Sequence, residues 1–548
     1  MSDKVEHAQS SIARSASIVS LAVISSRVLG LIREMVFAYF FGASKSPATD
    51  AFVIAFRIPN LLRDLFAEGA LSSAFVTVFS EYLVTRGESE SKRLANIVIT
   101  ALVLVLGALV ALGIIFAPQV VGLIAPGFGD DPEKFQLTVK LTRIMMPFIL
   151  LVALAAQAMG VLNACNRFGM PALASSFFNL GSIVGGVLVA AFLVDPTFSD
   201  PIRAITADPM VGIIGMAYGV LIGGFLQYAV QWPSLLRAGF GYRPALSLSD
   251  PGLRRIVRLM GPAIIGAAAV QVNVLINSYF ASNIPGDGPV AWLNYAFRLM
   301  QFPIGVFGVA IATVTLPSVS RSAALADMLE FRGTLASSIR LAFLLTVPSA
   351  VGLAVLGRPI IALIYERGDF TARDTEHTAG ALTCYAIGLA GYSAIKILAP
   401  AFYALDQART PMMISLLSVL MNFILNWALV GALRERGLAL STSTVALMNF
   451  ALLYMLMRRR LGRLEGRSTA IAVGKILLAS AAMAAACWPM SKALAAMGNG
   501  LAAKFINVLA PMILGVAVFY AIASALGVKE LKVAKEAIAG RCLRKRIH

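Results

Sequence analysis

The sequence predicts an all-α integral membrane protein of about fourteen transmembrane helices, and three observations carry that expectation. Apolar residues make up 58% of the 548 residues and charged residues 14%, against roughly 25% charged in soluble proteins. Mean hydropathy is +0.81. The apolar residues gather in runs of about 20 to 30, long enough to cross a bilayer as helices. The ten-residue alternation of a β-barrel is not seen. Backbone in hydrocarbon must satisfy its own hydrogen bonds, which leaves continuous helices.

The expected spans are 13–42, 49–84, 93–117, 134–163, 168–194, 209–237, 251–283, 288–317, 337–357, 374–405, 410–432, 437–458, 469–491 and 499–526. The first apolar stretch follows a polar leader, residues 1–12, and contains Arg27 and Arg33, so it reads as a retained span rather than a cleaved signal. An even number of spans puts both ends on one side. Basic residues mark that side as cytoplasmic. They are Lys4 and Arg14 at the head of span 1, Arg86, Lys92 and Arg93 after span 2, and Arg237, Arg243, Arg254, Arg255 and Arg258 at the join of spans 6 and 7. Arg321, Arg332 and Arg340 follow span 8, Arg458–Arg460 follow span 12, and the tail 528–548 is basic. The opposite loops are acid-rich: Asp130, Asp131 and Glu133, then Asp195, Asp200 and Asp208, then Asp369, Asp374 and Glu376. The net charge of +18 is thereby read as orientation bias rather than nucleic-acid binding.

A weak repeat suggests two halves. Ala55-Phe56-Arg57 recurs as Ala296-Phe297-Arg298, followed by Pro59 or Pro303 and by Gly69-Ala70 or Gly308-Val309-Ala310. The copies lie six spans apart and run in the same direction, a transporter architecture with the substrate site between the halves. The expected division is a leader at 1–12, six-helix lobes at 13–240 and 250–460, an added helix pair at 469–527, and the tail.

Several function classes fall away. Cys165, Cys384, Cys487 and Cys542 have no paired spacing, so no disulfide framework or metal site follows. His7, His377 and His548 are too scattered for zinc or triad chemistry. No P-loop, GxSxG, HExxH or EF-hand motif is present. Transport would then be passive, or driven by an ion gradient or membrane potential, with no cofactor.

The strongest chemical signal is charge inside apolar spans. Arg27 and Arg33 lie in span 1, Asp50, Arg57, Arg63 and Glu68 in span 2, Arg298 in span 8 and Lys396 in span 10. A central arginine costs at least about 2.5 kcal/mol on insertion scales, so such residues face a cavity or a partner. Arg27 and Arg33 stand about 9 Å apart along a helix and about 120° around it. Two readings stay open. In one, Asp50 and Glu68 neutralise arginines in a structural ion-pair network. In the other, the excess of five arginines over two carboxylates serves an anion in a watered cavity. Guanidinium groups suit phosphate through bidentate hydrogen bonds. Pro59, Pro147, Pro262, Pro303 and Pro348 mark kinks or hinges. Asn273 and Asn277, then Asn422 and Asn426, sit four apart, and Thr442 lies in a Ser/Thr run. Such groups serve as interhelical glue, or Asn277, Asn422, Asn426 and Thr442 form a monovalent cation site.

Ser26-Arg27-Val28-Leu29-Gly30-Leu31-Ile32-Arg33-Glu34, Ala48-Thr49-Asp50-Ala51-Phe52, Pro59-Asn60-Leu61-Leu62-Arg63 and Phe66-Ala67-Glu68-Gly69-Ala70 closely resemble the MurJ/MviN family of lipid II flippases. Ala125-Pro126-Gly127-Phe128, Asn163-Ala164-Cys165-Asn166-Arg167-Phe168, Met260-Gly261-Pro262 and Leu398-Ala399-Pro400 extend the resemblance to about span 12. It implies two six-helix lobes around a central cavity, with two C-terminal helices forming a lipid groove. It also implies movement of lipid-linked peptidoglycan precursor from the cytoplasmic to the periplasmic leaflet of a bacterial inner membrane by alternating access. The family's required charges fall on Arg27, Arg33, Asp50, Arg63 and Arg298, and Glu68 also matches. The sequence departs at Phe297 and Gln301, where some relatives carry acids beside Arg298, and at Asp64, where a relative has a second base. Arg27, Arg33 and Arg298 would hold pyrophosphate and sugar; Asp50 and Arg63 would shape the gate, with Arg57, Glu68 and Lys396 secondary. The implied partners are lipid II, the phospholipid bilayer and cell-wall synthesis proteins. Alternatives are an exporter of another polyprenyl-pyrophosphate oligosaccharide, an ion-coupled drug exporter, or a non-transporting scaffold. A glycosyltransferase would need a catalytic group in the His377, Asp369 and Asp374 cluster, which reads as a solvated loop.

Overall fold

Nine helices among the described residues are long and apolar enough to cross a membrane, and a pair bent by 42° makes a tenth. The structure is a computed structural model that describes residues 2–65, 71–462, 464–496, 498 and 500–532. Side chains at 2–18, 20, 72–73, 262–263 and 265–267 lie outside it, as does Glu68. The described residues contain helices and no strand. Each of the expected apolar segments lies mostly on helix where it is described, with breaks at Phe116, Met146–Pro147, Val230–Gln231 and Gly388.

The helices are α1 (Ser2–Phe41), α2 (Ala48–Arg63), α3 (Ser72–Thr85), α4 (Gly87–Ile115), α5 (Ala117–Ile124), α6 (Pro132–Met145) and α7 (Phe148–Ala164). Then come α8 (Gly169–Val194), α9 (Pro201–Ala207), α10 (Pro209–Ala229), α11 (Trp232–Arg237), α12 (Pro251–Ser282) and α13 (Pro289–Pro303). The remainder are α14 (Val309–Ala324), α15 (Met328–Ile364), α16 (Ala372–Ile387), α17 (Leu389–Ala404), α18 (Arg409–Leu461), α19 (Gly466–Ala495) and α20 (Leu501–Ala525). Asp-Pro steps start four of them. Asp131, Asp200, Asp208 and Asp250 accept backbone N–H bonds at the heads of α6, α9, α10 and α12, with proline in the first helical turn. The carboxylate satisfies orphan donors, and proline loses nothing there. Part of the acid richness of those loops is therefore helix capping.

Two compact units result: residues 1–291 with 368–370, and 292–367 with 371–548. The expected lobes meet at 240–250. In the structure α12 packs on α3, α4 and α5 and so belongs to the first unit. That unit holds an aromatic core of Phe75, Phe79 and Tyr82 against Leu94, Val98 and Val161. Its closest helix pair is α8 with α10. Gly215, Gly219 and Gly223 recur every fourth residue on α10, and a Cβ at Gly219 would stand 2.5 Å from the Cα of Gly186. Small residues at this spacing let two backbones touch.

In the second unit, Phe331, Leu335, Ile339 and Phe343 of α15 pack with Ile397 and Phe402 of α17, Leu453 and Met457 of α18 and Ile476 of α19. The 53-residue α18 is two limbs broken at Arg434, whose φ is 51°. The break falls between the expected spans 410–432 and 437–458. Pro303 is followed by a π-helical turn, Ile304–Gly308, and Asp64, Leu65 and Leu71 are π-helical beyond Pro59, so both copies of the repeat carry the same irregularity. Pro147 separates α6 from α7, while Pro348 lies within α15.

The pair α19–α20 packs on α15 and is tied at both ends. Arg340 donates to Glu465 at 2.7 Å and to Glu530 at 2.6 Å. Lys504 donates to the carbonyl and the carboxylate of Glu366, both at 3.1 Å. Arg340→Met should loosen this end and speed trypsin cleavage between α18 and α19 severalfold, because local opening needs fewer contacts broken. Unchanged cleavage would show that apolar packing alone holds the pair.

Candidate functional site

Arg33 lies in the second half of α1 and is partly buried. Its guanidinium donates to the adjacent Glu34 at 3.0 Å and lies 5.5 Å from the ring centre of Phe178 on α8. Glu34 is 8% exposed. Two turns earlier on α1, the Asn179 amide donates to the Ser26 carbonyl at 3.1 Å, which pins α8 to α1. Arg27, nearly two turns earlier, is exposed.

The arginines of α2 turn to α12. Arg57 donates to the hydroxyl of Ser278. Arg63 donates through Nε and Nη2 to Asp64, and Gln271 donates to the second oxygen of Asp64 at 3.4 Å. The departure at Asp64 thus supplies a local counter-charge to Arg63. Helical neighbours one residue apart do not ordinarily face each other; here the long arginine side chain reaches along the π-helical turn.

Asp50 is 1% exposed and is spoken for by one cation and two backbone donors. Lys134 of α6 donates to it at 2.9 Å, and the N–H groups of Gly288 and Ala291, at the head of α13, donate at 2.9 Å and 2.8 Å. Lys134 also donates to Asp287 at 3.0 Å and lies 4.5 Å from the ring centre of Phe128. The ion-pair reading sets Asp50 against arginines; the structure gives it to Lys134 instead. The physical reason is reach: α2 packs on α6, which brings Lys134 and not a guanidinium alongside. Glu68 lies outside the described residues.

In the second unit, Arg298 of α13 and Lys396 of α17 are exposed. Phe297 meets Tyr385 edge-on at 5.5 Å, so aromatic packing stands beside Arg298. Asn422 and Asn426 are buried on α18, and Thr442 donates to the Leu438 carbonyl at 2.8 Å. Asn277 belongs to α12 of the first unit, as does Asn273, which donates to the Ala269 carbonyl.

The solvated-loop reading of His377, Asp369 and Asp374 is corrected. Asp374 is fully buried, closes a capping box with Thr371, and accepts from Trp292 at 2.8 Å. His377 stacks on Trp292 at 4.0 Å and its Nδ1 stands 2.7 Å from the buried Glu435. Asp369 instead belongs to the first unit, paired with Lys45 at 2.6 Å. Sequence reasoning missed Lys134, Trp292 and Glu435. Thr371-Ala372-Arg373-Asp374 is a capping-box pattern that signals Asp374; nothing local signals Lys134.

The sequence model of the family described as lipid II flippase MurJ matches residues 37–506. A lipid II flippase MurJ of Burkholderia cenocepacia is 38% identical over 446 residues, covering 81% of this chain and 83% of that protein. A probable lipid II flippase MurJ of Vibrio cholerae serotype O1 is 34% identical over 538 residues, covering 95% and 98%. The solved structure of a lipid II flippase MurJ in an inward closed conformation superposes with a TM-score of 0.74 at 27% identity, covering 92% of this chain and 98% of that one. An inward-facing multidrug resistance MATE family transporter of the MOP superfamily shares the fold, with a TM-score of 0.66 at 14% identity over 81% and 99%. The chain is an all-α integral membrane protein and belongs to the lipid II flippase MurJ family.

Proposed function

We propose that this chain moves lipid II from the cytoplasmic to the periplasmic leaflet of a bacterial inner membrane by alternating access. The observation that carries the reading is identity of 34% along 95% of the chain to a relative named for that activity. The basic residues support it chemically. Lipid II bears a pyrophosphate, and guanidinium forks match its oxygens. Arg27 and Arg298 are exposed and take that role, with Arg33 beside them in function. Arg57 and Arg63 shape α2 against α12, Asp50 positions the heads of α6 and α13, and Glu68 and Lys396 serve as secondary charges. Both ends of the chain are cytoplasmic on the distribution of Lys and Arg. The membrane potential or a monovalent cation drives the cycle, with Asn277, Asn422, Asn426 and Thr442 as the candidate cation ligands.

The test is exposure of lipid II on the outer face after the protein is depleted, read by an added enzyme that cleaves only exposed lipid II. Depletion should lower cleavage, and the wild-type chain should restore it. Arg27→Ala and Arg298→Ala, present at normal membrane levels, should restore less than about a tenth, the equivalent of about 1.4 kcal/mol or more of lost binding. Unchanged exposure on depletion overturns the reading.

A further inference from the structure

A cavity of about 470 Å³ opens on the surface of the first unit between α5, α6 and α10. Its volume lies within the range of about 300–1,000 Å³ usual for ligand clefts. Four polar residues line it: Gln136, Lys140 and Arg143 along one face of α6, and Tyr218 from α10. No carboxylate lines it. Arg143 spends only Nε inside the protein, donating to the Ile114 carbonyl at 3.2 Å. Gln136, Lys140 and Tyr218 have no hydrogen-bond or ion-pair partner among the described residues. Two cations, a phenol and an amide thus face one space with all their donors but the Arg143 Nε unspent, the chemistry of an anion site.

The surroundings say which anion. Phe135, Val139 and Ile144 supply an apolar wall. Beside it, Leu112, Ile115 and Phe116 are exposed apolar residues at the end of α4. This helix has 29 residues and spans about 43 Å at 1.5 Å per residue, the thickness of a bilayer with its headgroups. It starts beside the basic run Lys92-Arg93, so the Ile114 carbonyl held by Arg143 lies at the opposite interface. We infer that this cleft binds the phosphodiester headgroup of a membrane phospholipid at the level of the outer leaflet, with Lys140 and Arg143 on the phosphate and Tyr218 and Gln136 completing its donors. The orientation is the one proposed above, whereas the binding chemistry is independent of lipid II transport.

Native mass spectrometry of the purified full-length chain, titrated with phosphatidylglycerol and with diacylglycerol, tests this. One phosphatidylglycerol should bind at least about tenfold tighter than diacylglycerol. Lys140→Gln should weaken that binding about tenfold, and Lys140→Glu should abolish it. Arg143→Gln should weaken it too, but it also removes the bond to Ile114, so the Lys140 variants carry the test at unchanged melting temperature. Equal binding of phosphatidylglycerol by wild type and Lys140→Glu overturns the site. Displacement of the lipid by millimolar inorganic phosphate would make it a free-anion site and overturn the headgroup assignment. A chain that fails the lipid II exposure test while passing this one leaves the site standing.

Discussion

Asp50→Asn should destabilise the protein by about 3 kcal/mol, toward the low end of the cost of breaking a buried ion pair. Asparagine keeps one acceptor for the N–H groups of Gly288 and Ala291 but leaves Lys134, whose side chain is 6% exposed, with only the partly exposed Asp287. Lys134→Met should cost a similar amount, since it leaves two carboxylates facing each other without their shared cation. The double variant should lose less than the sum by about 0.5–3 kcal/mol, because groups in one network couple. Thermal unfolding of the purified variants reads this. Additive losses would mean that Asp50 and Lys134 act separately, and the assignment of Asp50 as a positioning residue would fall. Lys134→Arg keeps the charge and should recover part of the stability; Asp50→Glu should not, because the extra methylene has no room in a site 1% exposed.

Gly219→Leu should abolish folded protein in the membrane. The first carbon of any side chain there would lie 2.5 Å from the Gly186 Cα and 2.7 Å from both the Gly186 nitrogen and the Ser182 carbonyl oxygen. These are backbone atoms, so no side-chain rotation relieves them, and α8 and α10 must separate. Overpacking costs about 1–3 kcal/mol where side chains can shift, and more where they cannot. Gly107→Leu is the control. Gly107 lies in α4 with nothing within 4 Å of its added Cβ, and replacing glycine in a helix interior removes about 1 kcal/mol of propensity penalty. Membrane levels that match wild type for both variants would show that α8 and α10 do not need this contact.

How far the sequence could be read depended on the range of each interaction. Hydropathy located the helices because burial in lipid is a property of each run taken alone. It underrates α1 and α12: neither is among the nine helices of the described residues that are long and apolar enough to cross a membrane, and both carry arginines. The break at Arg434 was visible as the polar run Arg434-Glu435-Arg436. The partners Glu34 and Asp64 were one residue from their arginines, yet the charge count set only Asp50 and Glu68 against five arginines. Lys134 was invisible as the partner of Asp50, because 84 residues separate them and only the packing of α2 on α6 joins them. His377 looked solvated because its neighbours in sequence are charged; Trp292 and Glu435, 85 and 58 positions away, hold it half-buried. Membership in the family came from motif context around Arg27, Arg33 and Asp50, which periodicity alone does not supply.

The Asp50 cluster also sets a timetable for synthesis. Its cation is 84 residues downstream and its last backbone donor 241 residues downstream. At roughly 5–20 residues per second, α2 emerges about 4–17 s before Lys134 and about 12–48 s before Ala291. During that interval a carboxylate destined for the interior has no native partner, so α2 cannot settle when it is made. The nascent chain must keep it at an aqueous boundary, or in the shelter of the insertion machinery, until α6 arrives. The second helix of the protein thereby waits for α6 and the head of α13 before it reaches its final place.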